Sequence, residues 1–150
     1  MRKSIFVGAA SCVVLALALI GGACSDDSDS SDDINTIAAI NILDKAGLHD
    51  IDTSIGTNGK VPANASSLAA QLQTTVLLAN WPGTLKDQAT KLAAVFGTLA
   101  SATADGDKSD LKKATEAAHN AHEAQHDFSH AVWDYLQKKA KVGATAGHDD

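Results

Sequence analysis

With 150 residues, of which 45% are apolar and only 4% aromatic, the chain has the length of one domain, and its core must be built largely from small side chains. Its 12 basic residues stand against 18 acidic ones, a formal charge of −6. That balance excludes the basic face that a phosphate backbone requires, so nucleic acid is not an expected partner.

Residues 1–23 read as an export signal. Arg2 and Lys3 supply a short positive start, and an apolar, small-residue run from Ile5 to Ala23 ends just before Cys24. The sequence Gly21, Gly22, Ala23, Cys24 resembles the lipobox of bacterial lipoproteins, over the first two dozen residues only. The resemblance implies that Cys24 is lipidated on sulfur, that the signal is cut before it, and that the new amino group is acylated. Gly21 stands where lipoboxes carry Leu, Val or Ile. The same residues suit an ordinary small-residue cleavage site, and a run of about 19 apolar residues also suits an uncleaved anchor. Each alternative exports the domain to the cell envelope; the lipobox reading ties it to the extracytoplasmic face of a bacterial membrane.

After Cys24, residues 25–33 contain only Ser and Asp and have nothing to bury, so residues 24–33 are expected to be a lipidated cysteine and a disordered, self-repelling acidic tether. The other cysteine, Cys12, lies inside the signal. The mature chain therefore has no partner for Cys24 and no disulfide framework.

From residue 34 the pattern becomes helical. Ile34, Ile37, Ile40, Leu48 and Ile51 keep helical spacing, which predicts a first helix over residues 34–51, extendable to 55, with Asp33 as its cap. His49, near the end of that helix, reads as a solvent-exposed residue favoured by the helix dipole. Gly56, the Asn58 and Gly59 pair and Pro62 make a turn. A second helix over 64–80 carries Leu68, Leu72, Val76 and Ala79 on one side. Trp81, Pro82 and Gly83 end it, and Pro82 suits the first turn of a third helix whose buried stripe is Leu85, Ala89, Leu92, Phe96 and Leu99. Ala104, Asp105 and Gly106 close the third helix, and Asp107 or Ser109 caps a fourth that runs over 107–141. Sustained two-residue alternation is absent from the sequence. The economical fold is all-α: an antiparallel up-down-up-down four-helix bundle over residues 34–142, with 143–150 as a disordered tail.

The fourth helix carries the chemistry. His119, His122, His126 and His130 follow one another at spacings of three, four and four, within an arc of about 80°. Ala114, Ala117, Ala121, Ala124, Phe128, Ala131, Tyr135 and Leu136 gather on the opposite side and suit a core. Glu116, Glu123, Asp127 and Asp134 flank the imidazoles. Neutral imidazoles four apart reach a common ion, so His122 with His126, or His126 with His130, would hold zinc or copper(II). Two ligands rarely suffice, and Glu123, Asp127 or a second chain would complete the shell, which makes a metal-linked homodimer through the fourth helix a natural corollary. The blander reading is a solvated polar face. A third is a pH-responsive surface, because ordinary imidazoles titrate near about 6.5. Trp133 lies on nearly the same side and would either cover a ligand or pack against a neighbour.

Other chemistries lack their residues. There is no Cys-x-x-Cys-His for haem, and Met1 is the only methionine, which removes histidine–methionine haem ligation and thioether copper sites. Glu116 with His119 and Glu123 with His126 fit Glu-x-x-His, but both pairs sit on one helix, and no glutamate precedes Glu116. Ser129 beside His130 lacks a nucleophile elbow. The sequence thus reads as a membrane-anchored, non-enzymatic lipoprotein with a helical-bundle binding domain. Its histidine stripe, His119, His122, His126 and His130 with Glu123, is the candidate transition-metal surface. The alternative is a structural or protein-interaction lipoprotein that contacts a partner through the same helix.

Overall fold

The computed structural model describes residues 28–145. Their regular structure is entirely helical: α1 (Ser28–Asp44), α2 (Leu48–Gly56), α3 (Ala65–Leu78), α4 (Lys86–Ala102) and α5 (Leu111–Thr145), with single 3-10 turns at Gly83–Leu85 and Gly106–Lys108. The helices pack together: α3 lies along α4, α4 along α5, and α5 also receives α1 and α2. None of the described helices is long and apolar enough to cross a membrane. The expected signal over 1–23 and the lipidation site Cys24 lie outside the described residues.

Small side chains set the spacing. Ala65 and Ala69 on α3, Ala89 and Ala93 on α4, and Ala114, Ala117, Ala118 and Ala121 on α5 are all buried, which allows close helix approach around Leu72, Phe96 and Leu99. At the end of α3, Trp81 turns inward at 4% exposure, donates its Nε1–H to the Val76 carbonyl at 2.8 Å and meets the Phe128 ring edge-on at 4.8 Å. That one residue closes α3, spans the turn to α4 and covers the aromatic anchor of α5.

The expected first helix is two helices. Gly47 adopts φ +73°, a left-handed conformation that favours glycine, and there α1 stops and α2 starts. The cause lies in the phase of the apolar residues. On one continuous helix Leu48, Ile51 and Ile55 would point about 100° away from Ala39, Ile40 and Leu43, yet all six are buried in the same core. The stripe drawn through Ile34, Ile37, Ile40, Leu48 and Ile51 assumed an unbroken helix. In the structure Ile34 and Ile37 are exposed, and Thr36, Ala39, Ile40 and Leu43 form the inner face of α1.

Boundaries differ elsewhere too. α1 begins at Ser28, so residues 28–33 are helical where a tether was expected, and Asp33 forms an ion pair with Lys139 of α5 at 2.9 Å instead of capping. Asp110, neither Asp107 nor Ser109, caps α5, its carboxylate accepting from the amides of Lys112 at 3.1 Å and Lys113 at 3.3 Å. α5 continues to Thr145, three residues into the expected tail, and 146–150 are outside the described residues.

A candidate metal-binding cleft between α1, α2 and α5

The break at Gly47 opens a cleft of about 380 Å³ between the α1–α2 junction and α5. On α5 its wall is a second stripe, His122, Gln125, His126, Ser129, His130 and Trp133, at helical spacing. This stripe lies beside the alanine face, about a quarter-turn round, rather than opposite it. Across from it stand Leu43 and Asp44 of α1, Gly47, and Leu48 and His49 of α2.

Asp44 fastens one end. It is the last residue of α1, where the helix dipole disfavours a carboxylate, and three donors of α5 compensate. Gln125 Nε2 donates to Oδ1 at 3.0 Å, Ser129 Oγ to Oδ1 at 2.6 Å, and Trp133 Nε1 to Oδ2 at 3.1 Å. Because these donors are spaced by four, one carboxylate reads two turns of helix. Gln125 is 7% exposed, so its amide depends on this partner.

Asp52 of α2 fastens the other end. Its Oδ2 is 3.2 Å from His122 Nδ1 and 3.7 Å from His119 Nδ1. The His122 side chain is only 14% exposed, whereas that of His119 is 63% exposed. The imidazoles form a chain of neighbours. His49 and His122 have ring centroids 5.1 Å apart, His122 and His126 4.7 Å, and His126 and His130 6.5 Å. Among the described residues, no group of three or more His, Cys, Asp or Glu side chains is placed to hold a metal ion.

Of the residues singled out from sequence, His122, His126 and His130 share the cleft. His119 is not in the cleft lining but stands beside it, near Asp52, against Leu111, Thr115 and Glu116 in a shallow apolar hollow. Glu123 and Asp127 are exposed and outside the cleft lining. Three polar residues of the first part of the chain, Asp44, His49 and Asp52, join the site instead. His49 and Asp52 are three apart and face α5 together, a pattern visible only once the helix break is placed.

Comparison with known proteins adds no relative: neither a family model, nor a curated protein, nor a solved structure matches the chain.

Proposed function

We propose that the protein is an exported lipoprotein, anchored in a bacterial membrane through Cys24, whose helices form an up-down-up-down antiparallel bundle that binds a divalent transition-metal ion, zinc or copper(II), in the cleft beside α5. It acts as a binding module rather than as an enzyme, and nucleic acid is not its partner. The observation that supports this reading is the pairing of His122 and His126, with rings 4.7 Å apart on the wall of the cleft and the Nδ1 of His122 held by Asp52 at 3.2 Å. A carboxylate on one ring nitrogen is the usual means of presenting the other to a metal. The anchor follows from the lipobox resemblance of Gly21, Gly22, Ala23 and Cys24. Calorimetric titration of the mature domain with zinc and copper(II) at pH 7.5 tests the metal reading. A Kd tighter than about 100 µM is expected, and weaker binding of both ions would remove it.

A second reading, a protein-interaction module, draws on the outer face of α1. Ile34, Ile37 and Ile42 are 67%, 40% and 54% exposed. Apolar side chains grouped on one helix face suit a partner surface. Under this reading, substitution of Ile34 and Ile42 by Ser abolishes capture of the partner and leaves the melting temperature unchanged.

A further inference from the structure

The start of α1 at Ser28 leaves only Ser25, Asp26 and Asp27 between Cys24 and the first helix. Four Cα-to-Cα steps span at most about 14 Å, so a lipid on Cys24 keeps the beginning of α1 within that reach of its point of attachment. The outward side of α1 is apolar. From Ile34 to Leu43 the sequence has no charged residue, and Ile34, Ile37 and Ile42 are exposed. We propose that this outer face of α1 rests on the lipid surface in which Cys24 is anchored, so that the domain docks against the bilayer instead of standing off from it. The proposal rests on the anchor reading above and deepens it, because it names the surface of the domain that meets the membrane.

The placement of charge favours lipid as the occupant. Asp32 and Asp33 precede the apolar strip, and both are engaged elsewhere in the bundle: Asp32 Oδ1 accepts from Asn80 Nδ2 at 3.0 Å, and Asp33 pairs with Lys139 Nζ at 2.9 Å. Two carboxylates that would resist an acyl surface are thereby held away from it. Asn41 returns its amide to the Ile37 carbonyl at 2.8 Å, which lowers the cost of drawing this side chain out of water. One turn on, the exposed Lys45 has a stem that lies along apolar surface while its ammonium reaches phosphate.

Apolar exposure is also concentrated at this end. Of the seven large apolar side chains exposed among the described residues, five are Ile34, Ile37 and Ile42 on α1 and Leu77 and Leu78 at the close of α3. The hydrogen bond between Asn80 and Asp32 joins the close of α3 to the start of α1, from which the chain leads back to Cys24. A strip of three isoleucines is too small to recruit a free protein to a bilayer. Beside an anchor it only has to orient a domain already held there, a step favoured by high effective concentration. With a formal charge of −6 the chain gains nothing from anionic headgroups, so the contact is apolar and insensitive to salt.

The test uses the processed, acylated chain in phosphatidylcholine vesicles, with and without bromine on the acyl chains as a short-range quencher. Acylation blocks the Cys24 thiol and Cys12 leaves with the signal, so one introduced cysteine takes a fluorophore uniquely. Labels on Ile37→Cys and Ile42→Cys are expected to lose at least about half of their emission in brominated vesicles, at low and high salt alike. A label on Lys60→Cys is expected to keep its emission. Lys60 is exposed and follows α2, which ends at Gly56 beside Thr115, about 36 Å along α5 from Lys139 at 1.5 Å per residue. Adding Ile34→Ser and Ile37→Ser to the Ile42→Cys chain is expected to restore most of the emission while the chain still floats with the vesicles; quenching unchanged by the two serines would overturn the role given to the strip. An unmodified Cys24 in chains that do not float would overturn the anchor reading and the docking with it. Chains that float with all three labels equally unquenched would overturn the docking alone and leave the face to a protein partner. Energy transfer between labels on neighbouring chains, in place of quenching by lipid, would overturn it in favour of a second copy. Circular dichroism checks each fold, and the substituted residues, being exposed, tolerate replacement.

Discussion

Asp44 Oδ1 accepts a 2.6 Å hydrogen bond from the hydroxyl of Ser129, 85 residues further along the chain, and thereby ties the end of α1 to the middle of α5. The same carboxylate satisfies the buried amide of Gln125 and the indole of Trp133. Asp44→Ala removes all three acceptors at once. The dominant loss is the stranded Gln125 amide, so destabilisation of about 1–3 kcal/mol is expected in chemical denaturation. Asp44→Asn keeps an acceptor oxygen and is expected to lose less. An Asp44→Ala midpoint equal to wild type would mean that the junction is held without this carboxylate.

The aromatic anchor is the second expectation. Phe128 is 2% exposed and lies edge-on to Trp81. Phe128→Ala leaves a cavity at the contact of α5 with the turn between α3 and α4, at a cost of about 3–5 kcal/mol. His126→Ala, on the exposed flank, is expected to melt with wild type. Equal melting temperatures for wild type and Phe128→Ala would contradict the buried face assigned to α5.

Gly47 carries a backbone conformation that an L side chain resists, although a Cβ there would meet only Asp50 Oδ2, at 3.7 Å. The cost of Gly47→Ala is therefore conformational rather than steric, about 1–2 kcal/mol. Because the break also sets where Asp44, His49 and Asp52 stand, the variant is expected to lose zinc affinity as well as stability. Stability unchanged by the substitution would show that a right-handed residue at position 47 is tolerated.

Helix content and most of the core were legible from spacing. Leu72, Val76, Leu85, Ala89, Leu92, Phe96 and Leu99 are buried as their period implies, and Pro82 precedes the turn that opens α4. What periodicity could not supply was phase across a break. Lys45, Ala46 and Gly47 contain no proline, so periodicity joins the isoleucines on either side into one stripe, which is right for Ile40, Leu48 and Ile51 and wrong for the exposed Ile34 and Ile37. The candidate site was legible by half for the same reason. Four histidines on one helix are visible in any sequence, but His49 and Asp52 reach them through tertiary packing, and Asp44 through a helix end whose position depended on Gly47.

Anchoring is tested apart from the domain. If Cys24 is the acyl acceptor, Cys24→Ser leaves an unprocessed precursor, and mass spectrometry of the native N-terminus finds a lipidated, acylated cysteine. One chain binds membranes only marginally, so stable retention depends on the several expected for a lipoprotein. An unmodified amino group on Cys24 would indicate ordinary secretion.

The last expectation separates neighbours on one stripe. By sequence alone His126 has equivalent partners at His122 and His130, four residues to either side. The structure makes them unequal, at 4.7 Å and 6.5 Å. His126→Ala is therefore expected to abolish tight zinc binding, and His130→Ala to change it by no more than a few-fold. Thermal shifts give an independent reading, since an ion that binds the folded chain at about 100 times its Kd adds about 2.7 kcal/mol. Zinc is expected to raise the melting temperature of wild type and His130→Ala alike and to leave that of His126→Ala unmoved. The shift is also expected to disappear as the solution is acidified, because a protonated imidazole has no lone pair to give and each ligand must shed its proton to bind. His119, Asp44 and Asp52 share this surface, but none is needed as a ligand, so His119→Ala is expected to follow wild type at every pH. Equal losses from His126→Ala and His130→Ala would mean that the ion draws on both pairs alike.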